Sequence, residues 1–136
     1  MNGTDTWALY AVPTATPRGV YPDATRQEDL MAKYLFTGSY TPEGAQGVLA
    51  EGGTGRRDAT ERVVASVGGT VESYYFAFGS DDFYLIADLP DHAAAAAGAL
   101  TAAASGAIRV RTTVLITPEE VDAAAKLSPD YRAPGA

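Results

Sequence analysis

Residues 70–90 hold two aromatic and β-branched runs, TVESYYFAF and FYLIAD, parted only by Gly79-Ser80-Asp81-Asp82 and ended by Pro90. Such residues suit a pleated, half-buried surface, and a short Gly- and Asp-rich tip between two of these runs reads as a β-hairpin. A hairpin in the middle of a chain, with helical signals on either side, leaves few topologies open. It must share its sheet with strands supplied from both ends.

Those strands are visible. Lys33–Tyr40 is rich in Tyr, Phe and Thr, and IRVRTTVLI, residues 108–116, is strongly β-branched. Between the first strand and the hairpin, Thr41-Pro42-Glu43 supplies an N-cap, a proline at the first helical position and an acid in the first turn. The helix it opens is predicted to break at EGGTG, residues 51–55, to resume through RRDATERVVASV and to stop at Gly68-Gly69. After the hairpin, Pro90-Asp91 and the alanine run from His92 to Ser105 predict a second helix closed by Gly106. Thr117-Pro118-Glu119-Glu120 repeats the capping signature and opens a short last helix to about Lys126.

The order strand, helix, strand, strand, helix, strand predicts an α+β domain: a ferredoxin-like βαββαβ fold with a four-stranded antiparallel sheet. Right-handed crossovers put both main helices on one face of that sheet. Strict alternation sends Tyr74, Phe76 and Phe78 to one side and Val71, Tyr75 and Ala77 to the other, and parts Val110, Thr112 and Val114 from Arg109, Arg111, Thr113 and Leu115. Neither side is clearly polar. The uncovered face is therefore expected to pack against its copy in a C2 homodimer.

A chain of 136 residues with 46% hydrophobic content suffices for one ordinary domain. Ten Lys and Arg against 17 Asp and Glu leave a formal charge of -7, which opposes nucleic acid as a partner. Cysteine is absent, so disulfides, thiolate metal sites and a cysteine nucleophile are excluded. WALYAV, residues 7–12, is too short to span a membrane and lacks the pattern of a signal peptide, so a cytoplasmic location without membrane association is expected.

The domain is expected to cover residues 31–127, with residues 128–136 a disordered tail. Residues 1–30 show little periodicity, and the pattern changes abruptly at Met31-Ala32. Gln27-Glu28-Asp29 can be encoded CAG-GAG-GAC, which contains the bacterial ribosome-binding sequence AGGAGG just ahead of the Met31 codon. The first 30 residues are accordingly expected to be an over-called leader, the other reading being a flexible arm or one that wraps a partner.

Candidate chemistry is sparse. Adjacent Asp81 and Asp82 splay in a turn rather than facing one substrate, so their expected role is to accept backbone N–H bonds at the hairpin tip. His92 is the single histidine, which excludes a multi-histidine metal site within one subunit, and the adjacent helix N-terminus favours its neutral form as an acid or base. Arg109 and Arg111 share a strand face, where Asp88 or Glu72 is the expected ion-pair partner. Alternatively Arg111 anchors a carboxylate or phenolate in a pocket lined by Tyr74, Phe76 and Tyr84. GGTGRR, residues 52–57, lacks the lysine and hydroxyl of a P-loop, and no dinucleotide fingerprint or GxSxG elbow occurs.

TGSYTPEGAQGVL, RRDATERVVASVGGTVESYYFAFGSDDFYLIADLPD and IRVRTTVLITPEE together resemble the GYD domain family, over roughly Ala32–Lys126. The resemblance implies a small bacterial or archaeal protein forming a dimeric α/β barrel, and no particular activity. The family's motif of Gly, a variable residue, Tyr and Asp falls on Gly79-Ser80-Asp81-Asp82, with Gly79 and Asp82 matching and Asp81 in the usual place of tyrosine. Asp81 is therefore expected to be exposed and Asp82 to hold the turn.

Two functional classes follow. The first is a non-catalytic dimeric module that binds a small molecule or a protein partner, with no metal and no cofactor. The second is a cofactor-independent enzyme acting on a small aromatic or polyketide-like substrate, using His92, Tyr74 and Tyr84 as catalytic candidates with Arg111 beside them.

Overall fold

The computed structural model describes residues 31–136, in two units: residues 31–115 and, among the described residues of the other, 116–136. The proposed leader at residues 1–30 lies outside the described residues. In the first unit strand β1 (Ala32–Tyr40) leads to helix α1 (Pro42–Ser66), hairpin strands β2 (Thr70–Phe76) and β3 (Phe83–Leu89), helix α2 (His92–Ala104) and strand β4 (Ile108–Leu115). The sheet order is β2-β3-β1-β4 and every pairing is antiparallel, which is the ferredoxin-like arrangement.

Pairing register assigns the faces. One row across the sheet is Thr112, Phe36, Leu85 and Tyr74, and the next is Val114, Tyr34, Ala87 and Val71. These rows carry the buried core residues Tyr34, Phe36, Leu85 and Ala87, on which Val64 of α1 and Ala95 of α2 close. The opposite face carries the row Arg111, Thr37, Tyr84 and Tyr75. A bulge between Val71 and Ser73 corrects the strict alternation expected for β2: the extra residue brings Val71 round to the side of Tyr74.

Helix α1 starts as its residues require. Thr41 is extended, with φ -71° and ψ 169°, and its hydroxyl accepts from the Gly44 N–H at 3.2 Å. The same residue ties the helix start to the loop before β4, donating from its N–H to the Ala107 carbonyl at 3.0 Å and from its hydroxyl to the Gly106 carbonyl at 2.9 Å. Gly44 is held against the Ala107 backbone so closely that a Cβ would collide with that carbonyl. The predicted break in the helix is a kink at Gly52, whose φ of 81° and ψ of 167° suit glycine alone.

Asp91 caps α2, accepting from the Ala94 N–H at 2.8 Å. In the second unit, helix α3 (Pro118–Ala125) opens with a complete capping box between Thr117 and Glu120. Residues 127–136 contain no helix or strand. Among the described residues no helix is long and apolar enough to cross a membrane.

Candidate functional site

Helix α2 turns Ala94, Ala95, Gly98, Ala99 and Ala102 toward the sheet, a stripe with at most one side-chain carbon per position. Helix α1 offers Thr60, Val63, Val64 and Val67, and the floor is aromatic and aliphatic, including Phe36, Tyr74 and Phe83. Side chains this short on α2 cannot fill the space between the helices and the sheet, and a half-open cavity of about 100 Å³ remains. Its polar groups are few. The Thr60 hydroxyl donates to the Arg56 carbonyl at 2.9 Å, and the Tyr74 hydroxyl lies 3.1 Å from that of Tyr40.

At that end of the cavity the aromatic rings form a continuous wall. Tyr74 and Phe76 meet edge to face with centroids 5.3 Å apart, and Tyr40 tilts against Phe83 at 5.6 Å. Burial, together with the hydrogen bond from Tyr74, pushes the Tyr40 phenol well above its ordinary range, while the nearby positive charge of Arg56 pulls it back.

Arg111 and Tyr84 stand elsewhere. The expected pocket joining them to Tyr74 and Phe76 is not formed within one chain, because Tyr74 pairs with Leu85 and Tyr75 with Tyr84, so that Tyr74 and Tyr84 point to opposite faces. Nor does Arg111 find Asp88 or Glu72. Both of those carboxylates accept from Lys33, Asp88 at 2.7 Å, and their hydrogen bonds raise the lysine pKa. Arg111 instead donates from Nη2 to both oxygens of Asp81, with Oδ1 at 2.5 Å.

Asp81 therefore overturns its expectation. It is only 9% exposed, and the hairpin connection is the six-residue stretch 77–82 rather than a four-residue tip, long enough to lay Asp81 back toward β4. Gly79 is exposed at the tip. Asp82 ties the loop to the end of β1: its N–H donates to the Gly38 carbonyl at 2.7 Å, its carbonyl accepts from Ala77 at 2.8 Å, and Oδ2 accepts from the Tyr40 N–H at 2.9 Å.

His92, the first residue of α2, is exposed, but its Nδ1 lies 2.6 Å from the hydroxyl of Tyr34, which is 1% exposed. With the ring proton on Nε2, Tyr34 donates and Nδ1 accepts. Neither residue lines the cavity. Sequence reasoning missed Tyr34, Tyr40 and Arg56. The sequence shows Tyr40 only as the end of the first strand and Arg56 only within GGTGRR; for Arg56 a signal exists in helical spacing, since it stands one turn before Thr60, which lines the cavity. Among the described residues no group of three or more His, Asp or Glu side chains is arranged to hold a metal ion.

Comparison with known proteins adds one finding. The family model described as the GYD domain matches residues 34–125. Neither curated proteins nor solved structures gave a match.

Proposed function

From the premise that the chain belongs to the GYD domain family, we propose that it is a small-molecule-binding module that works as a homodimer in the manner of a dimeric α/β barrel. The observation that carries the binding half is the apolar cavity between α1, α2 and the sheet. Apolar cavities of about 150 Å³ stay dry and take up benzene or xenon, and one of about 100 Å³ suits a shorter apolar body. Burial of that body supplies affinity, and the hydroxyls at the Tyr74 end supply orientation.

The dimer half is supported by the face turned away from the helices. Tyr75 and Tyr84 are neighbours across β2 and β3, and both are exposed there, as expected of aromatic anchors in an isologous interface. The competing reading, a cofactor-independent enzyme for a small aromatic or polyketide-like substrate, has less to rest on. Its candidates Tyr74, Tyr84, His92 and Arg111 are divided between the cavity, the far face of the sheet and the start of α2.

Native mass spectrometry of the full chain tests the assembly, and a monomer overturns it. Xenon titration followed by NMR tests the cavity: shifts are expected at Ala95, Ala99 and Val64 in the parent and none in Gly98→Leu, whose side chain enters open space. Unchanged shifts in both proteins remove the binding function.

A further inference from the structure

The stripe of α1 that faces the sheet does not end at Thr60. Counting back one turn along the helix reaches Arg56, and a further turn reaches Gly53, where an added Cβ would lie 3.2 Å from the Phe76 ring. Arg56 thus occupies the position on the cavity's own stripe between Thr60, which lines the cavity, and Gly53, which packs on the aromatic wall. Its side chain is about two-thirds covered, and its partner in the fold is Glu51 at 3.4 Å. A single, long, partly exposed ion pair of this kind contributes little and is readily exchanged.

The tyrosines at the same end have unused hydrogen-bonding capacity of a definite sign. Tyr40 and Tyr74 hold two hydroxyl protons and share one mutual bond, so one O–H proton remains to be donated. Phe76, which borders Gly53 of α1, packs on both tyrosines, with ring centroids 5.3 Å from Tyr74 and 6.5 Å from Tyr40, so the turn of α1 that carries Arg56 lies beside the hydroxyl pair. The positive charge of Arg56 acts to lower the Tyr40 pKa, in keeping with that placement. An arginine and a spare phenolic donor at the rim of an apolar cavity together ask for an acceptor that carries negative charge.

We propose that the cavity takes the apolar body of a small monocarboxylic acid whose carboxylate is received by Arg56 and the Tyr40–Tyr74 hydroxyl pair. This deepens the binding function proposed above and rests on it. Glu51 then plays the part of an internal stand-in: its carboxylate occupies the guanidinium until the ligand's replaces it. The kink at Gly52, which lies between Glu51 and Gly53, is where the backbone frees Glu51 from the regular helical path. Arg111, the anion anchor expected from sequence, is committed to Asp81, whereas Arg56 stands one helical turn before Thr60, which lines this cavity.

Pentanoate and 1-pentanol share an apolar chain and differ in the head group, so their dissociation constants for the full-length protein, measured by NMR titration, separate the two levels of the argument. Pentanoate is expected to bind about tenfold more tightly than pentanol, the usual scale of a charge-assisted contact. Arg56→Gln should abolish that preference by weakening pentanoate about tenfold relative to pentanol, and Glu51→Gln, which releases the guanidinium, should increase the preference. Equal affinities in the parent protein, or a preference that survives Arg56→Gln, would overturn the carboxylate assignment and leave the apolar site standing. Binding of neither probe would overturn the site and the assignment together.

Discussion

Arg111 and Asp81 form a lopsided pair: the arginine side chain is 69% exposed, and the carboxylate it holds is 12% exposed. Removing either partner therefore does different things. Asp81→Ala returns an already hydrated guanidinium to water and should cost about 1 kcal/mol or less. Arg111→Ala leaves a carboxylate largely withdrawn from water without its counter-charge and should cost about 2 kcal/mol. Urea melts of the two variants at neutral pH check the order, and a larger loss in Asp81→Ala would show that the aspartate's own packing, and not its charge, dominates.

Asp82 acts through the backbone. Its carboxylate accepts the Tyr40 N–H at the last position of β1, immediately before the Thr41 cap of α1, so it fixes the point where strand gives way to helix. Asp82→Ala should destabilise by about 1 kcal/mol, with Asp82→Asn recovering much of the loss because an amide oxygen also accepts. Amide exchange at Tyr40 gives the local reading: its protection should fall in Asp82→Ala more than that of Leu35, which lies in mid-strand.

The fold was legible because each of its elements is signalled locally. Caps at Thr41, Asp91 and Thr117, the glycine break at Gly52 and the two aromatic runs of the hairpin are short-range features that sequence displays directly. The site was legible only in part. A single bulge at Val71/Ser73 is enough to carry Val71 to the other face, and nothing in TVESYYF marks where the extra residue is absorbed. Asp81 was misread for a related reason: whether a loop aspartate meets solvent or an arginine depends on how a six-residue connection folds back, which no periodicity reports. The cavity was out of reach altogether, since it is a property of what the alanines of α2 fail to fill.

Among the described residues, three groups make stability fall at alkaline pH. Burial and then the charge of Asp91 raise the Tyr34 phenol, burial and Tyr74 raise that of Tyr40, and hydrogen bonds to Asp88 and Glu72 raise Lys33. Each group binds its proton more tightly folded than unfolded, so its contribution is complete below the unfolded values of 10.0 for the phenols and 10.5 for the lysine and is lost as pH climbs past them. Denaturant melts between about pH 8 and 11 should show little change at first and a steepening loss above about 10. Tyr40→Phe should flatten that loss. Tyrosinate absorbance from Tyr34 and Tyr40 should appear only with unfolding.

Three glycines of the helices separate tight contact from open space. At Gly44 an added Cβ meets the Ala107 carbonyl, and backbone on both sides leaves no flexible group to give way; Gly44→Ala should cost about 2–3 kcal/mol by overpacking. At Gly47 and Gly98 an added Cβ meets nothing within 4 Å. Replacing a helical glycine by alanine there removes the entropic cost of glycine, so each substitution should raise stability by about 1 kcal/mol. The two should then part in ligand binding. Gly47→Ala lies off the cavity and leaves xenon uptake as it was, whereas Gly98→Ala adds a methyl group to a space of about 100 Å³ and should weaken uptake even as it stabilises the fold. Melting curves and xenon titrations on the same samples check both halves, and equal uptake in the two variants would mean that the face of α2 bearing Gly98 does not border the bound gas.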